Sequence, residues 1–370
     1  MRLFYIILYT YKRKRTTFWK YLASLVLLIV ALCGIFMLGY STPNKADSYP
    51  KQCYYIDDKE TLPNILDLHV QSEKTIFFHE PSCDSNTKEK ITISAQHACA
   101  VESAARLNPN YDVTLIYNSP GVIKMEDDDD TDKIIEALLT YKNVKFVYAN
   151  INQFSGGTFL ENVVSPVFSD KFGDVINDAI DSFRYITLWK YGGIWIDLDM
   201  IVTKPLDDLP ANFVGMESSK KVSTDILGFQ ADGPGHKLIA NSLNYLATKF
   251  NNPHFNTFNE NFQNVNNSDL FTRFLKSTCE AEAFQNVGAQ ICQDITILAS
   301  NYFYPIDIDS LEKYIEGENV ENVMDVFQKS YTFHTWDSKR NTSLLTNKSP
   351  FFHLVQSFCP KTYEIGNKLF

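Results

Sequence analysis

Two aspartates one residue apart, Asp197-Leu-Asp199, are the strongest chemical signal in the chain. Carboxylates at positions i and i+2 lie on one face of an extended strand, where they can offer oxygen ligands to a divalent cation. A cation held this way is suited to bridging the phosphates of a nucleotide, and Mg²⁺ and Mn²⁺ both take such ligands. The triplet is short enough to recur by chance, and Asp307-Ile-Asp309 is read as such a recurrence. The surroundings single out the first. Upstream, Asp181 and Arg184 are three residues apart and share a face if the segment is helical. There Arg184 suits a diphosphate or sugar and Asp181 suits sugar hydroxyls; a plain surface ion pair is the bland alternative.

The pattern around the triplet says how it is positioned. Helical periodicity runs over 172–190, Gly192-Gly193 stops it, and an aromatic-aliphatic strand is expected over 194–202. Further upstream the spacing predicts strands at 75–79, 113–117 and 144–148, separated by helices at 95–107 and 132–141. Strand, helix, strand in this rhythm means βαβ units and a mainly parallel sheet, an α/β fold. The acidic run Glu126–Asp130 is read as a solvated loop with charge favourable to the following helix. Beyond 202 the pattern is less regular, with helices expected at 235–250 and 268–276. No GxxxxGK[ST] or GxGxxG phosphate loop occurs.

With 370 residues, 45% hydrophobic and 21% charged, the chain is long and apolar enough for a large core. A net charge of −10 argues against a non-specific nucleic-acid binder, which needs basic patches. The charge is uneven: Arg2, Lys12, Arg13, Lys14, Arg15 and Lys20 all precede the first acidic residue, Asp47. Behind that cluster, 21–40 carries no charge and reaches about 30 Å as a helix, one bilayer core. Tyr21 and Tyr40 fall where interfacial aromatics are favoured, and the positive-inside rule keeps 1–20 cytosolic. The expected organisation is a tail 1–20, an uncleaved signal anchor 21–40, a stem 41–74 and a luminal domain 75–370, in type II topology. Cys33 lies in the apolar stretch; Cys53, Cys83, Cys99, Cys279, Cys292 and Cys359 lie beyond it with no CxxC spacing. That usage suits disulfides in an oxidising lumen, as do sequons at Asn266, Asn341 and Asn347.

The stretch Asp181-Ser-Phe-Arg-Tyr-Ile-Thr-Leu-Trp-Lys-Tyr-Gly-Gly-Ile-Trp-Ile-Asp-Leu-Asp199 resembles the DxD region of the glycosyltransferase family that includes lactosylceramide 4-alpha-galactosyltransferase and alpha-1,4-N-acetylgalactosaminyltransferase. The segment 76–83 resembles that family's first strand and 99–109 its first helix. Asn301-Tyr-Phe-Tyr-Pro305, Phe333-His-Thr-Trp336 and Cys359-Pro-Lys-Thr-Tyr-Glu364 are similar to its later segments, in the same order. The resemblance implies a GT-A nucleotide-sugar-binding fold, a UDP-galactose or UDP-N-acetylgalactosamine donor, and Mn²⁺. It further implies a Golgi membrane enzyme forming an α1,4 bond, with retention, on a glycosphingolipid ending in galactose or N-acetylgalactosamine. By position, Asp197 and Asp199 become the catalytic cation site, joined by His334, and Asp181, Arg184, Phe78, His79 and Trp336 become donor contacts. A Cys279–Cys292 disulfide matches a family pair; Cys83–Cys99 and Cys53–Cys359 complete the expected set. Two segments depart from the family: Ser223-Thr224 stands where Asn-Gly is usual, and Asn267-Ser268 where Gly-Pro is usual. They leave the substrate open between glycolipid and glycoprotein glycans, another sugar such as mannose, and an inactive membrane-anchored relative that only binds glycans. The sequence permits a homo-oligomer without dictating one.

Overall fold

The computed structural model describes residues 60–71, 73–125, 129–161, 182–250, 267–311, 320–336 and 349–366, all within one compact unit that begins at Tyr49. The tail 1–20, the apolar stretch 21–40, Cys53, Asp181 and the three sequon asparagines lie outside the described residues. Among the described residues, no helix is long and apolar enough to cross a membrane.

The expected βαβ rhythm is present. Strands β1 (Thr75–Glu80), β2 (Asp112–Tyr117) and β3 (Val144–Tyr148) are parallel and joined by helices α1 (Ala95–Leu107) and α2 (Asp130–Leu139). Ser94 caps α1 by accepting the His97 N–H, and Asp129 caps α2 by accepting the Asp132 N–H at 2.8 Å. The acidic run therefore ends in a helix cap, and Lys90 bonds both Asp129 and Asp132. Helix α3 (Phe183–Tyr191) leads into β4 (Gly193–Ile196), which pairs with β1 on the side away from β2.

Past β4 the sheet turns antiparallel. β7 (Lys221–Phe229) pairs with both β4 and β6 (Phe213–Ser218); β9 (Ile295–Leu298) runs parallel to β6, and β8 (Ala289–Cys292) closes the edge. The sheet order is β3-β2-β1-β4-β7-β6-β9-β8. A separate antiparallel pair joins β5 (Met200–Val202) to β10 (Thr332–His334).

Both sheet faces are covered, so every residue of β1 is buried. Ile76 and Phe78 pack on one side with α1, α2 and the helix Pro350–Phe358. Phe77 packs on the other side with α3 and the helices expected at 235–250 and 268–276, which span Gly233–Phe250 and Asn267–Thr278. The Gly192-Gly193 break is sterically required. Both have positive φ, and a Cβ at Gly193 would sit 2.6 Å from the Thr75 carbonyl oxygen of β1.

Three expectations are corrected. The strand expected over 194–202 is broken: β4 ends at Ile196, a turn closed by Met200 N–H to the Asp197 carbonyl follows, and β5 joins the other sheet. The apolar run continues through the turn, so periodicity does not mark the break. Part of the segment expected as stem packs into the domain: Leu62 and Ile65 are buried, and Tyr148 N–H bonds the Pro63 carbonyl. Cys99 pairs with Cys359, not Cys83, pinning α1 to the junction of the helix Pro350–Phe358 with the C-terminal helix Pro360–Gly366. Cys83 is itself disulfide-bonded, and the Cys279–Cys292 pair forms as expected.

Candidate active site

Strand order reverses beside β1: the chain moves outward to β2 and β3, then returns to lay β4 on the other side. In open α/β sheets, the crevice outside the carboxyl ends of strands at such a point is where ligands bind. Asp197 follows directly from β4, so the sheet topology alone delivers the triplet to that crevice.

Asp197 and Asp199 do not share a strand face, because the turn sends them to different partners. Asp197 Oδ2 accepts from Arg184 Nη1 at 3.1 Å, and its Oδ1 accepts from the Trp195 indole N–H at 2.6 Å. The same Arg184 nitrogen donates to the Thr224 carbonyl at 2.6 Å, and its guanidinium lies 5.8 Å from the Trp195 ring. Arg184 is buried, so it anchors the turn rather than reaching outward. Burial pushes the Asp197 carboxyl up to about 7; Arg184 pulls it down, while Asp225 and Asp199 add to the rise.

Asp199 faces β10. The pairing of β10 with β5 sets His334 opposite Met200, and His334 Nε2 lies 3.1 Å from Asp199 Oδ2. Thr335 secures the same corner, donating its N–H and hydroxyl to the Asp199 carbonyl at 2.8 and 3.0 Å. Burial works to raise the Asp199 carboxyl, but the imidazole outweighs it and holds it below its ordinary value. His334 moves the opposite way, up to about 9, because Asp199, Asp225 and Asp197 overcome its burial. Its Nδ1 lies 2.9 Å from the Trp336 N–H, an acceptor geometry met by the neutral ring with its hydrogen on Nε2, whereas the carboxylates around it favour the protonated ring, in which Nε2–H still points at Asp199. Trp336, at positive φ, sets its indole against the His334 ring, 4.1 Å between centroids and tilted by 41°.

Two expected donor contacts are placed elsewhere. Phe78 is wholly buried in the core with no face for a ligand. His79 is buried on the opposite face of β1, stacked on Phe183 at 4.7 Å and bonded to Asn118. Burial drives the His79 pKa down to about 4, so the ring is a neutral prop beneath Trp195, 5.9 Å away. Two further residues join the site. Asp225 on β7 accepts a hydrogen bond from Tyr304 at 2.8 Å and approaches His334 Nε2 to 3.6 Å. Tyr304 fell inside a family-like segment, which was the one hint of its place.

Beside the triplet, a cavity of about 270 Å³ opens at the carboxyl end of β1, lined by Glu80, Ser82, Ser94 and His97 among others. His97 Nδ1 bonds the buried Glu80 at 2.7 Å, and because β1 runs parallel beside β4, the cavity opens at the same end of the sheet as the triplet.

Among the described residues, no three His, Cys, Asp or Glu side chains form a ready-made metal cage. The residues nevertheless suit a cation that draws its remaining ligands from substrate phosphate and water, as Mg²⁺-type sites do. Asp199 is one-third exposed and lies 3.1 Å from His334 Nε2, so these two side chains would hold such a cation. His334 could ligate only after its Nε2 hydrogen leaves, whereas Asp199 is ready as it stands.

Comparison with known proteins places the chain among glycosyltransferases. Residues 94–215 match the glycosyltransferase sugar-binding region containing the DXD motif, and 231–366 match the alpha 1,4-glycosyltransferase conserved region. The human alpha-1,4-N-acetylglucosaminyltransferase is 24% identical over 75% of this chain and 78% of its own length. The human lactosylceramide 4-alpha-galactosyltransferase is 25% identical over 80% of this chain and 78% of its own length. Among solved structures, the galactosyltransferase LgtC with donor and acceptor sugar analogues covers 76% of this chain and 95% of its own, at 11% identity and a TM-score of 0.38.

Proposed function

Because the chain is a glycosyltransferase of the DXD-containing alpha 1,4 family, we propose that it transfers galactose or N-acetylgalactosamine from a UDP-sugar, in α1,4 linkage and with retention, to a glycosphingolipid ending in galactose or N-acetylgalactosamine. The observation that carries this reading is the meeting of Asp197, Asp199, Arg184 and His334 at the switch point, in a chain matching both family regions. The N-acetylglucosaminyltransferase relative favours a second donor, UDP-N-acetylglucosamine, at the same site.

A divalent cation, Mn²⁺ in this proposal, would be held by Asp199 with His334 and would neutralise charge on the departing nucleoside diphosphate. The protein's own contribution is positional. Arg184 and Trp195 fix Asp197, and Thr335 fixes the Asp199 backbone, so the turn is set before substrate arrives. His97 and Glu80 line the adjacent cavity, where the nucleoside would lie. The acceptor hydroxyl then attacks the anomeric carbon from the face the diphosphate leaves. Its C–O bond forms as the sugar–phosphate bond breaks, and its proton passes to the departing phosphate oxygen.

The charge-free stretch 21–40 behind a basic cluster supports a type II Golgi membrane enzyme. Protection of a C-terminal tag from protease in sealed microsomes is expected; a digested tag would defeat that topology. For the activity, full-length protein in detergent is offered UDP-galactose, UDP-N-acetylgalactosamine, UDP-N-acetylglucosamine and GDP-mannose with lactosylceramide, with and without Mn²⁺. Cation-dependent α1,4 transfer from one UDP-hexose is expected. Failure with all four donors would overturn the proposal.

A further inference from the structure

Resting on the donor reading above, we infer that Asp225 accepts hydrogen bonds from hydroxyls of the transferred sugar, and so helps decide which sugar the enzyme uses.

Register places it. Ile196 pairs with Ile226 across β4 and β7, and the Asp197 N–H donates to the Asp225 carbonyl at 2.8 Å. Directly opposed residues on antiparallel strands project to the same side, so the two carboxylates stand side by side. A closed set of hydrogen bonds then fixes the Asp225 side chain. Its Oδ2 accepts the Tyr304 hydroxyl at 2.8 Å, that hydroxyl is shared with Ser223 Oγ, and Ser223 Oγ accepts the Asp225 N–H at 2.9 Å. Tyr304 and Ser223 are both buried, so the side chain is oriented by groups that have little freedom to move.

What this arrangement leaves over points to the ligand. Asp225 Oδ1 has Arg184 Nη1 at 3.9 Å, beyond hydrogen-bonding distance, and that nitrogen is committed to Asp197 and the Thr224 carbonyl. Among the described residues the oxygen is an acceptor without a hydrogen-bonded donor, on a side chain 21% exposed beside the site. A carboxylate oxygen there gains from a neutral partner carrying O–H groups, and a phosphate offers it only like charge. The diphosphate belongs at Asp199 and His334, and His334 Nε2 is 3.6 Å from Asp225 Oδ2. The nucleoside cavity opens at β1, whereas Asp225 lies on β7, across β4 from it. A donor molecule threaded through the site therefore has its hexose available on the Asp225 side.

The test compares UDP with intact UDP-sugars. Dissociation constants for UDP, UDP-galactose, UDP-N-acetylgalactosamine and UDP-N-acetylglucosamine are measured by calorimetry with Mn²⁺, on full-length wild type, Asp225→Asn, Asp225→Ala and Tyr304→Phe. Asp225→Ala should leave UDP binding within about twofold and weaken the preferred UDP-sugar by about tenfold, the scale of one hydrogen bond to a charged group. Tyr304→Phe keeps the ring and loosens only the orientation, so a smaller loss confined to the sugar nucleotide is expected. Equal weakening of UDP and UDP-sugar would overturn the inference, making Asp225 a support of the cation site. Unchanged donor binding with a raised acceptor KM would overturn it in favour of an acceptor contact. A wild-type chain that binds UDP but discriminates no UDP-sugar from it also defeats the inference while sparing the nucleotide site. Wild type that binds neither defeats the donor reading itself.

Discussion

Acid should loosen this enzyme through a residue that never touches substrate. His79 is buried against Phe183 and Asn118, and its pKa in the fold is about 4 against an ordinary value of 6.5. Between those values the unfolded chain takes up a proton that the folded chain refuses, so stability falls as pH drops from about 6.5 to about 4. Each pH unit costs at most about 1.4 kcal/mol, so the full span amounts to about 3 kcal/mol. Burial of the ring means little of this is screened by solvent. The control is His79→Phe, which keeps a ring against Phe183 but cannot protonate; the orphaned Asn118 adds an offset that pH does not change. Chemical denaturation of both proteins from pH 7.5 to 4 gives the difference in unfolding free energy, with the carboxylates common to both cancelling. That difference should shift by about 3 kcal/mol against wild type across the range. Parallel curves would refute the neutral, buried assignment of His79.

Other consequences are structural and equally direct. Cys359→Ser opens a loop with a sequence separation of 260 and should cost about 4 kcal/mol, while non-reducing peptide mapping of the parent recovers Cys99–Cys359 and Cys279–Cys292. Glu102, fully buried, accepts the Tyr141 hydroxyl at 2.7 Å and the Lys361 and Thr362 N–H groups at 3.0 and 2.8 Å. Glu102→Gln turns an amide N–H toward one of these donors and should cost about 2–3 kcal/mol in urea unfolding, with the midpoint moving and the slope unchanged.

The sequence revealed what depends on neighbours along the chain. The first three strands and the helices between them were visible because apolar periodicity is local, and the Gly192-Gly193 stop because backbone sterics are local. The Asp197–Asp199 turn was hidden: an apolar run on both sides of it looks like one continuous strand. The surroundings of Phe78 and His79 were hidden for a related reason. The end of a strand covered on both faces has the composition of a ligand platform, and only packing shows that Phe78 is core and His79 a prop. The long-range partners were beyond reach. Asp225 meets Tyr304 across 79 residues, and Cys99 meets Cys359 across 260, through sheet register and helix packing that no single segment encodes.

The cation-assisted site at Asp199 is best interrogated by transfer kinetics of full-length Asp199→Asn and Asp309→Asn at saturating Mn²⁺, with thermal unfolding as the folding control. Asp199 meets His334 in the crevice, whereas Asp309 is exposed in the 3-10 turn Ile308–Ser310. Asparagine at 199 keeps an oxygen for the His334 N–H, so the fold should survive while transfer drops by about 10²-fold or more. Asp309→Asn should transfer at the wild-type rate. Full activity of Asp199→Asn, in a folded protein at saturating Mn²⁺, would contradict a cation-assisted transferase built on this turn.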